Sequence, residues 1–332
     1  MVKGKKFRKL VVNYELNTKL HQAMTILNNC NQKIIRLTAI LLLSSTFATF
    51  AQENIKIDND KKYISFLTNA IENNNVNKES RALFLKESRT YWHSQKLDYN
   101  LHPENYAKTI SLYHQNQLKF KQNNEQIDSV RKIRINIAVE NFQNFDDRNS
   151  FPKKSVLFIG SSSIAGWKTS LSFPEFPIIN RGVGGMNMLE IIENYDLLVK
   201  KYAPSVIVIY CDIDIEQGKS PKEAVDVFTA LVHKIKYDFP KTIVLLLSMK
   251  PVMIDDFIGK DIRKNKMAAN EQLLKFSKKE KNVEFIDLSS PMLHQDGKLK
   301  TAIFIEDGMH LNALGYSIWN PIIRKKIAVL MK

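Results

Sequence analysis

The stretch SVLFIGSSSIAGW, Ser155 to Trp167, decides how the chain is read. A β-branched and apolar run ends in Gly160 and passes straight into three serines, Ser161, Ser162 and Ser163. Either one serine is a nucleophile at the end of a strand, or the serines cap the next helix. Outward from this run the same pattern repeats. Strands are predicted over Ser155–Ile159, Pro177–Asn180, Ser205–Tyr210, Thr242–Leu247 and Val283–Ile286. The spacers Met186–Lys200, Pro221–Tyr237 and Arg263–Lys279 carry helical periodicity, and a helix over Ala313–Leu330 closes the chain. The strands are short and apolar on both faces, as buried parallel strands are. Alternation of this kind predicts an α/β fold, a doubly wound five-stranded parallel sheet between two helical layers. Ligands bind such sheets at the carboxyl ends of the strands, where the three serines fall.

The segment before the sheet has a different composition. Residues 52–130 are rich in Asn, Gln, Lys and Glu, and YISFLTNAIENNN and ENYAKTISLYHQNQLKF both show amphipathic helical spacing. Pro103 suits the start of the second. IRINIAVENFQNFDDRN is a helical lead-in to the sheet, closed by Pro152. The expected organisation is therefore a leader over 1–51, a helical region over 52–130 and an α/β domain over 131–332. Tyr91, Trp92 and His93 are read as packing against the main domain rather than as a sugar platform.

The first fifty residues read as targeting. Lys33 and Arg36 precede an apolar run from Leu37 to Phe47, and small residues lead to Gln52. This is the layout of a secretory signal peptide cleaved after Ala51, with Met1 or Met24 as its start. The run is short for a membrane span of about 20 residues. The expectation is an exported chain with no stable span after cleavage; the alternative is an uncleaved N-terminal anchor. Cys30 would leave with the leader, so Cys211 would remain without an internal disulfide partner.

Charge narrows the function classes. The formal net charge is +15, but the first 52 residues hold eight Lys/Arg against Glu15 alone. The other lysines are scattered among acids, with no basic run interleaved with aromatics, so no nucleic-acid partner is expected. The first turn lacks G-x-G-x-x-G, and the later cluster RGVGGMN has Asn187 at the third glycine position. There is no Walker motif, HExxH or CxxC pair, so neither a cofactor nor a metal site is expected.

The chemistry reappears near the C-terminus. In FIEDGMHLNALGYSIW, Asp307 and His310 stand three residues apart just before the last helix. An Asp-x-x-His turn can bring the carboxylate to the imidazole Nδ1, holding the tautomer and stabilising the imidazolium formed on proton transfer. Together with a serine after the first strand, this is a serine-hydrolase set.

The chain from about Phe151 to Lys332 resembles the GDSL-like, or SGNH, hydrolases, a flavodoxin-like superfamily of serine esterases. FIGSSSIAGW is similar to the first block, with Gly160-Ser161-Ser162 where Gly-Asp-Ser usually stands. INRGVGGMN is similar to the second block and DGMHLNALGY to the last. LSMKP and Asn270 resemble a subgroup of often secreted bacterial esterases. The resemblance implies Ser162 as nucleophile, His310 as base and Asp307 as its partner. It implies an oxyanion hole from the backbone N–H groups of Ser162 and Gly185. One block departs: where the family carries Gly-x-Asn-Asp, this chain reads VIVIYCDIDIEQG, with Ile213 at the Asn position and Cys211 at or beside the Gly.

Two functions are carried forward. One is a serine ester hydrolase removing short acyl groups, such as O-acetyl, from carbohydrate or a related small ester. The other is a catalytically silent binding module for a glycan or protein partner, suggested by Ile213. Cys211 is read as a small buried hydrophobe, Trp167 and Phe173 as either pocket or core, and His294 as exposed.

Overall fold

The computed structural model describes residues 56, 58–73, 75–121 and 125–332. The expected leader, with Cys30 and the Ala51–Gln52 cleavage point, lies outside the described residues. Among the described residues no helix is long and apolar enough to cross a membrane. The chain divides into two compact units, residues 1–62 and 63–332. The described residues of the first unit are helical.

The second unit opens with helical residues 63–72, then helices α1 (Lys78–Leu101), α2 (Ala107–Lys121) and α3 (Glu125–Asp146). Asn77 caps α1 by accepting from the Ser80 N–H, which satisfies one of the first-turn donors. Helix α3 runs through residues 130 and 131 without a break, so it joins the helical region to the α/β domain. Then come β1 (Val156–Gly160), the single turn α4 (Ser162–Ala165), β2 (Ile178–Gly182) and α5 (Met188–Glu193). Next are β3 (Val206–Tyr210), α6 (Ile213–Glu216), α7 (Pro221–Asp238) and β4 (Ile243–Leu247). Helix α8 (Ile262–Ser277), β5 (Val283–Ile286) and α9 (Ala313–Leu330) complete the chain.

All five expected strands form one parallel sheet in the order β2-β1-β3-β4-β5. Alternation along each strand builds two cores. Phe158, Val208 and Leu245 face one, with Trp319, Ile323 and Ile327 of α9. Ile159, Ile207 and Leu246 face the other, with Phe228 and Leu231 of α7 and Leu273 of α8. Fully burying a Val, Leu or Ile side chain contributes about 1.5–3 kcal/mol, so such an all-apolar strand is held on both faces. The result is the three-layer α/β fold expected.

The helical region serves both cores. Trp92 and Tyr99 of α1 join the first, while Ile135 and Val139 of α3 join the second. Phe257, in the loop after β4, stands at the centre of this packing. Its ring lies 4.0 Å from that of Trp92, 5.5 Å from Tyr99 and 5.8 Å from Tyr113. Tyr91 and Trp92 are buried as expected, whereas His93 is exposed.

Two helices differ from expectation. The spacer Met186–Lys200 is broken after Glu193, where Asn194 leaves helical backbone geometry (φ −101°, ψ 19°) and its side chain adds a second bond to the Glu190 carbonyl that its own N–H already holds. A separate turn, Tyr195–Leu198, comes after it. Helix α1, the longest of the region, has no counterpart among the helices expected from periodicity. Trp167 and Phe173 belong to the core, at 2% and 0% exposure, and His294 is exposed.

Phe257→Ala should cost about 3–5 kcal/mol. It should also lower the protection of amides in α1 and α2 more than those of α7. Urea denaturation with hydrogen exchange measures both; equal loss across all helices would show that Phe257 does not key the helical region to the sheet.

Candidate active site

Strand β1 ends where only glycine fits. Gly160 has φ +147°, and a Cβ there would lie 1.8 Å from the Tyr210 carbonyl oxygen on β3. That close approach lets the Ser161 N–H donate to the same oxygen at 3.1 Å and turns the chain into α4. Asn180 of β2 fixes the turn from the other side. Its amide donates to the carbonyls of Ile164 (2.9 Å) and Trp167 (3.1 Å).

The three serines then separate. Ser161 is 0% exposed and its hydroxyl donates to Asp212 Oδ1 at 3.4 Å. Ser163 is 1% exposed and its hydroxyl has no hydrogen-bond partner among the described residues. Ser162, the first residue of α4, is half-buried and is the only one of the three a reactant can reach. Gly184 flanks it, since a Cβ on Gly184 would sit 4.0 Å from the Ser162 Cβ.

The glycine loop after β2 is held at several points. Gly185 has φ +79°, a left-handed conformation that favours glycine. Arg131 of α3 donates to the Gly185 carbonyl at 3.0 Å and pairs with Glu190 at 2.7 Å. Asn187 and Glu190 form a capping box on α5. Asp214 Oδ2 accepts the Met188 N–H at 2.9 Å.

The turn before α9 carries Asp307 and His310. His310 Nδ1 and Asp307 Oδ2 lie 2.6 Å apart, so the imidazole N–H donates to the carboxylate. Asp307 Oδ1 accepts the N–H groups of Met309 (2.8 Å) and His310 (2.9 Å). Burial opposes the Asp307 charge, but the His310 ring and these backbone donors outweigh it and hold the carboxyl at about 2. Gly308, with φ +67°, closes the turn, and its carbonyl accepts from the Met253 N–H at 2.9 Å. Helix α9 joins this turn to the first: the Tyr316 hydroxyl donates to the Ser163 carbonyl at 2.9 Å. The structure thus pairs Asp307 with His310 and ties their helix to the Ser162 turn. His310 and Ser162 are not hydrogen-bonded to each other. Catalytic bonds often tighten only when substrate is bound.

Ile213 opens α6 and its side chain packs, partly buried, on the second core. It offers no donor. Cys211 is buried with its thiol near the Met186 carbonyl (3.5 Å), and burial, then the Asp214 charge, pushes it up, away from a reactive thiolate. Among the described residues no group of His, Cys, Asp and Glu is arranged to hold a metal.

A buried charge network lies beyond the reach of motif reading. Asp212, 2% exposed, accepts from the Tyr210 hydroxyl (2.6 Å) and from Lys250 (3.2 Å). Lys250 and Lys266 are each 1% exposed. Lys266 bonds Glu216 (2.8 Å) and Asp255 (2.9 Å) and lies 3.6 Å from Asp212. Burial would raise Asp212, but the charges of Lys250 and Lys266 outweigh it and hold the carboxyl far below its usual range. Burial would likewise lower Lys266, and its acids hold it up. The one signal for Lys266 is its spacing: it shares the buried face of α8 with Ile262, Ala269 and Leu273.

Known proteins share this architecture. Residues 158–318 match the model of the GDSL-like Lipase/Acylhydrolase family. A Streptococcus pneumonia chain provisionally described as a platelet activating factor is similar with a TM-score of 0.56 and 21% identity, over 62% of this chain and 99% of that one. A Bacteroides fragilis chain provisionally described as an acylhydrolase gives 0.50 and 22%, over 57% and 97%. These likenesses establish the shared fold. No curated protein matches the sequence.

The low Asp307 value has a definite sign. The folded carboxyl lies below its ordinary value, so the stabilisation is complete above about pH 4 and is lost as pH falls through about 2. Asp307→Asn should therefore be less stable than the parent at neutral pH, and the gap should close on acidification to about pH 2. Denaturation midpoints across that range measure it. A gap that does not change with pH would mean the charge contributes nothing to the turn.

Proposed function

The α/β domain belongs to the GDSL-like lipase/acylhydrolase family, and from that premise we propose that this chain is a serine ester hydrolase that removes short acyl groups, such as O-acetyl, from carbohydrate or a related small ester. The observation that carries the proposal is the 2.6 Å contact of Asp307 with His310, on a turn whose helix bonds the chain beside the only accessible serine of the first block. A serine hydroxyl is a poor nucleophile without such a base.

In the proposed reaction Ser162 Oγ attacks the ester carbonyl and His310 Nε2 takes its proton. Asp307 holds the imidazole by Nδ1 and stabilises the imidazolium. The oxyanion of the tetrahedral intermediate is held by the N–H groups of Ser162 and Gly185. Its collapse breaks the bond to the alcohol oxygen, which receives the proton from His310, and leaves the acyl group on Ser162. A water, deprotonated by His310, then attacks the acyl carbonyl. The second tetrahedral species collapses to the free acid and restores Ser162 with its proton.

Ile213 favours the second reading, a silent binding module, because a missing oxyanion donor typically costs ~10²–10³ in turnover. The leader leads us to place the mature chain outside the cytoplasm, beginning near Gln52; N-terminal sequencing of exported protein tests that.

A fluorophosphonate probe should label Ser162, and Ser162→Ala should lose both the label and hydrolysis of p-nitrophenyl acetate. An unlabelled, inactive parent would establish the silent module. Hydrolysis that survives Ser162→Ala would move the nucleophile elsewhere.

Ile213→Asn should raise turnover with little change in substrate binding, since the new bond strengthens in the transition state. Its ceiling is ~10²–10³, by analogy with donor deletions. Unchanged turnover at unchanged melting temperature would mean that Ile213 does not face the oxyanion.

A further inference from the structure

The helical region reaches three loops at the carboxyl edge of the sheet. Lys96 of α1 lies against Gly308, its Cδ 3.5 Å from where a Cβ on that glycine would sit. From α2, the His114 ring contacts the Asp256 carbonyl at 2.7 Å and Gln117 donates to the Ile258 carbonyl at 2.8 Å. From α3, Arg131 and Arg134 donate to the carbonyls of Gly185 and Gly184 at 3.0 and 3.4 Å. The helices therefore roof the carboxyl edge of the sheet, and under the roof is a cavity of about 650 Å³.

One wall of the cavity is aromatic, with Phe84, Tyr113 and Phe120, and faces Ile258 and Ile262. The polar lining is unbalanced in charge. Arg81, Arg131 and Lys260 contribute cations and Glu216 is the one acid. Glu216 is bonded by Lys266 at 2.8 Å, and Arg131 is paired with Glu190. Among the described residues Arg81 and Lys260 form no ion pair, and the Asn265 amide holds no side-chain bond. A cavity of this size that combines an aromatic wall with convergent polar side chains has the character of a ligand site.

Its location connects it to the reaction. Arg131 lines the cavity and holds Gly185; Gln217 lines it and accepts from Asn187, two residues beyond Gly185, at 3.0 Å. A short acyl group occupies only a small part of about 650 Å³, since a single water takes about 30 Å³ of liquid volume. Ser162 and His310 are not among its lining residues, so the part of an ester that reaches it from Ser162 is the half beyond the acyl group. We propose that this cavity binds the alcohol part of the substrate, and that this part is an apolar or aromatic body bearing a carboxylate, which Arg81 and Lys260 recognise. The substrate role rests on the esterase reading; the binding of such an anion does not.

The test uses the full chain and separates the two. In the Ser162→Ala protein, 4-acetamidobenzoate and its neutral counterpart 4-acetamidobenzamide are titrated by calorimetry. The carboxylate should bind on the order of tenfold more tightly, as expected for charge-assisted hydrogen bonds, and the preference should vanish when Arg81→Gln and Lys260→Gln are added. Neither side chain has a partner to lose, so the melting temperature of these variants should stay that of the parent. Equal binding of the two compounds, or a preference that survives both substitutions, overturns the proposal.

In parallel, 4-acetoxybenzoate and 4-acetoxybenzamide are compared as substrates of the Ser162 protein with and without Arg81→Gln. The ratio between protein forms cancels the intrinsic reactivity of the two esters. Loss of the preference in KM rather than kcat supports the cavity as the alcohol site. No hydrolysis of either ester, with the binding preference intact, keeps the anion site and defeats the esterase reading instead. Hydrolysis whose preference ignores Arg81 removes the cavity from the substrate path.

Discussion

A carboxylate buried at the end of the central strand governs how the site is assembled. Asp212 is 2% exposed, and a bare charge in that position would be untenable without Lys250 and Lys266 beside it. The same group of charges connects five parts of the fold: β3 through Tyr210, the Ser161 turn, α6 through Glu216, the loop after β4 through Asp255, and α8 through Lys266. Each member therefore has its geometry fixed by the others. Removing one partner from such a buried set typically costs about 3–5 kcal/mol, because the remaining charge is left uncompensated. An apolar cluster of equal volume would be as stable, but it would not fix which hydroxyl lies against which carboxylate. The network thus orients the chain immediately before Ser162.

The resemblance to the family gives this network a further meaning. The first block there carries an Asp beside its nucleophile, and this chain carries Ser161 instead. The carboxylate has not left the neighbourhood: Asp212, across the β1–β3 pair, accepts from the Ser161 hydroxyl at 3.4 Å. Sequence comparison block by block sees a lost acid in one place and an odd Asp in another. The parallel register, which sets Gly160 opposite Tyr210, brings the two together.

That contrast shows what is legible in the sequence. The five strands are readable because burial on both faces leaves a continuous apolar run, and only their ends move by a residue or two, where Gly160 and Gly182 continue the ladder. Asp307 and His310 are readable because their pairing is local, three residues apart on one turn. In the sequence Ser162 is singled out only by the resemblance of Gly160-Ser161-Ser162 to the first block; the burial of Ser161 and Ser163, which separates the three physically, is supplied by no local pattern. Helix α1 is hidden because its apolar positions are few and its surface keeps Leu83, Leu97 and Leu101 exposed, which blurs the periodic stripe. The lysine network is hidden for the opposite reason: its members are ordinary residues whose partners lie 38 and 50 positions away.

The helical region lies entirely outside the family match, which begins at residue 158, yet it holds the loop on which the proposed reaction depends. With Ile213 offering no donor, the proposed oxyanion hole consists of backbone N–H groups alone, those of Ser162 and Gly185. A backbone donor is effective only if its loop is already in place when charge develops, since preorganisation is the source of the effect. The Ser162 N–H is placed by the core, through Gly160 and Asn180. The Gly185 loop is held within its own domain at Met186, Asn187 and Met188, and the Gly185 carbonyl is held from outside by Arg131 of α3. Arg131 is in turn fixed by Glu190, on the helix that the same loop enters. In the proposed mechanism the added helices therefore act twice: they wall the cavity beside the site, and they stiffen the loop that carries the Gly185 donor.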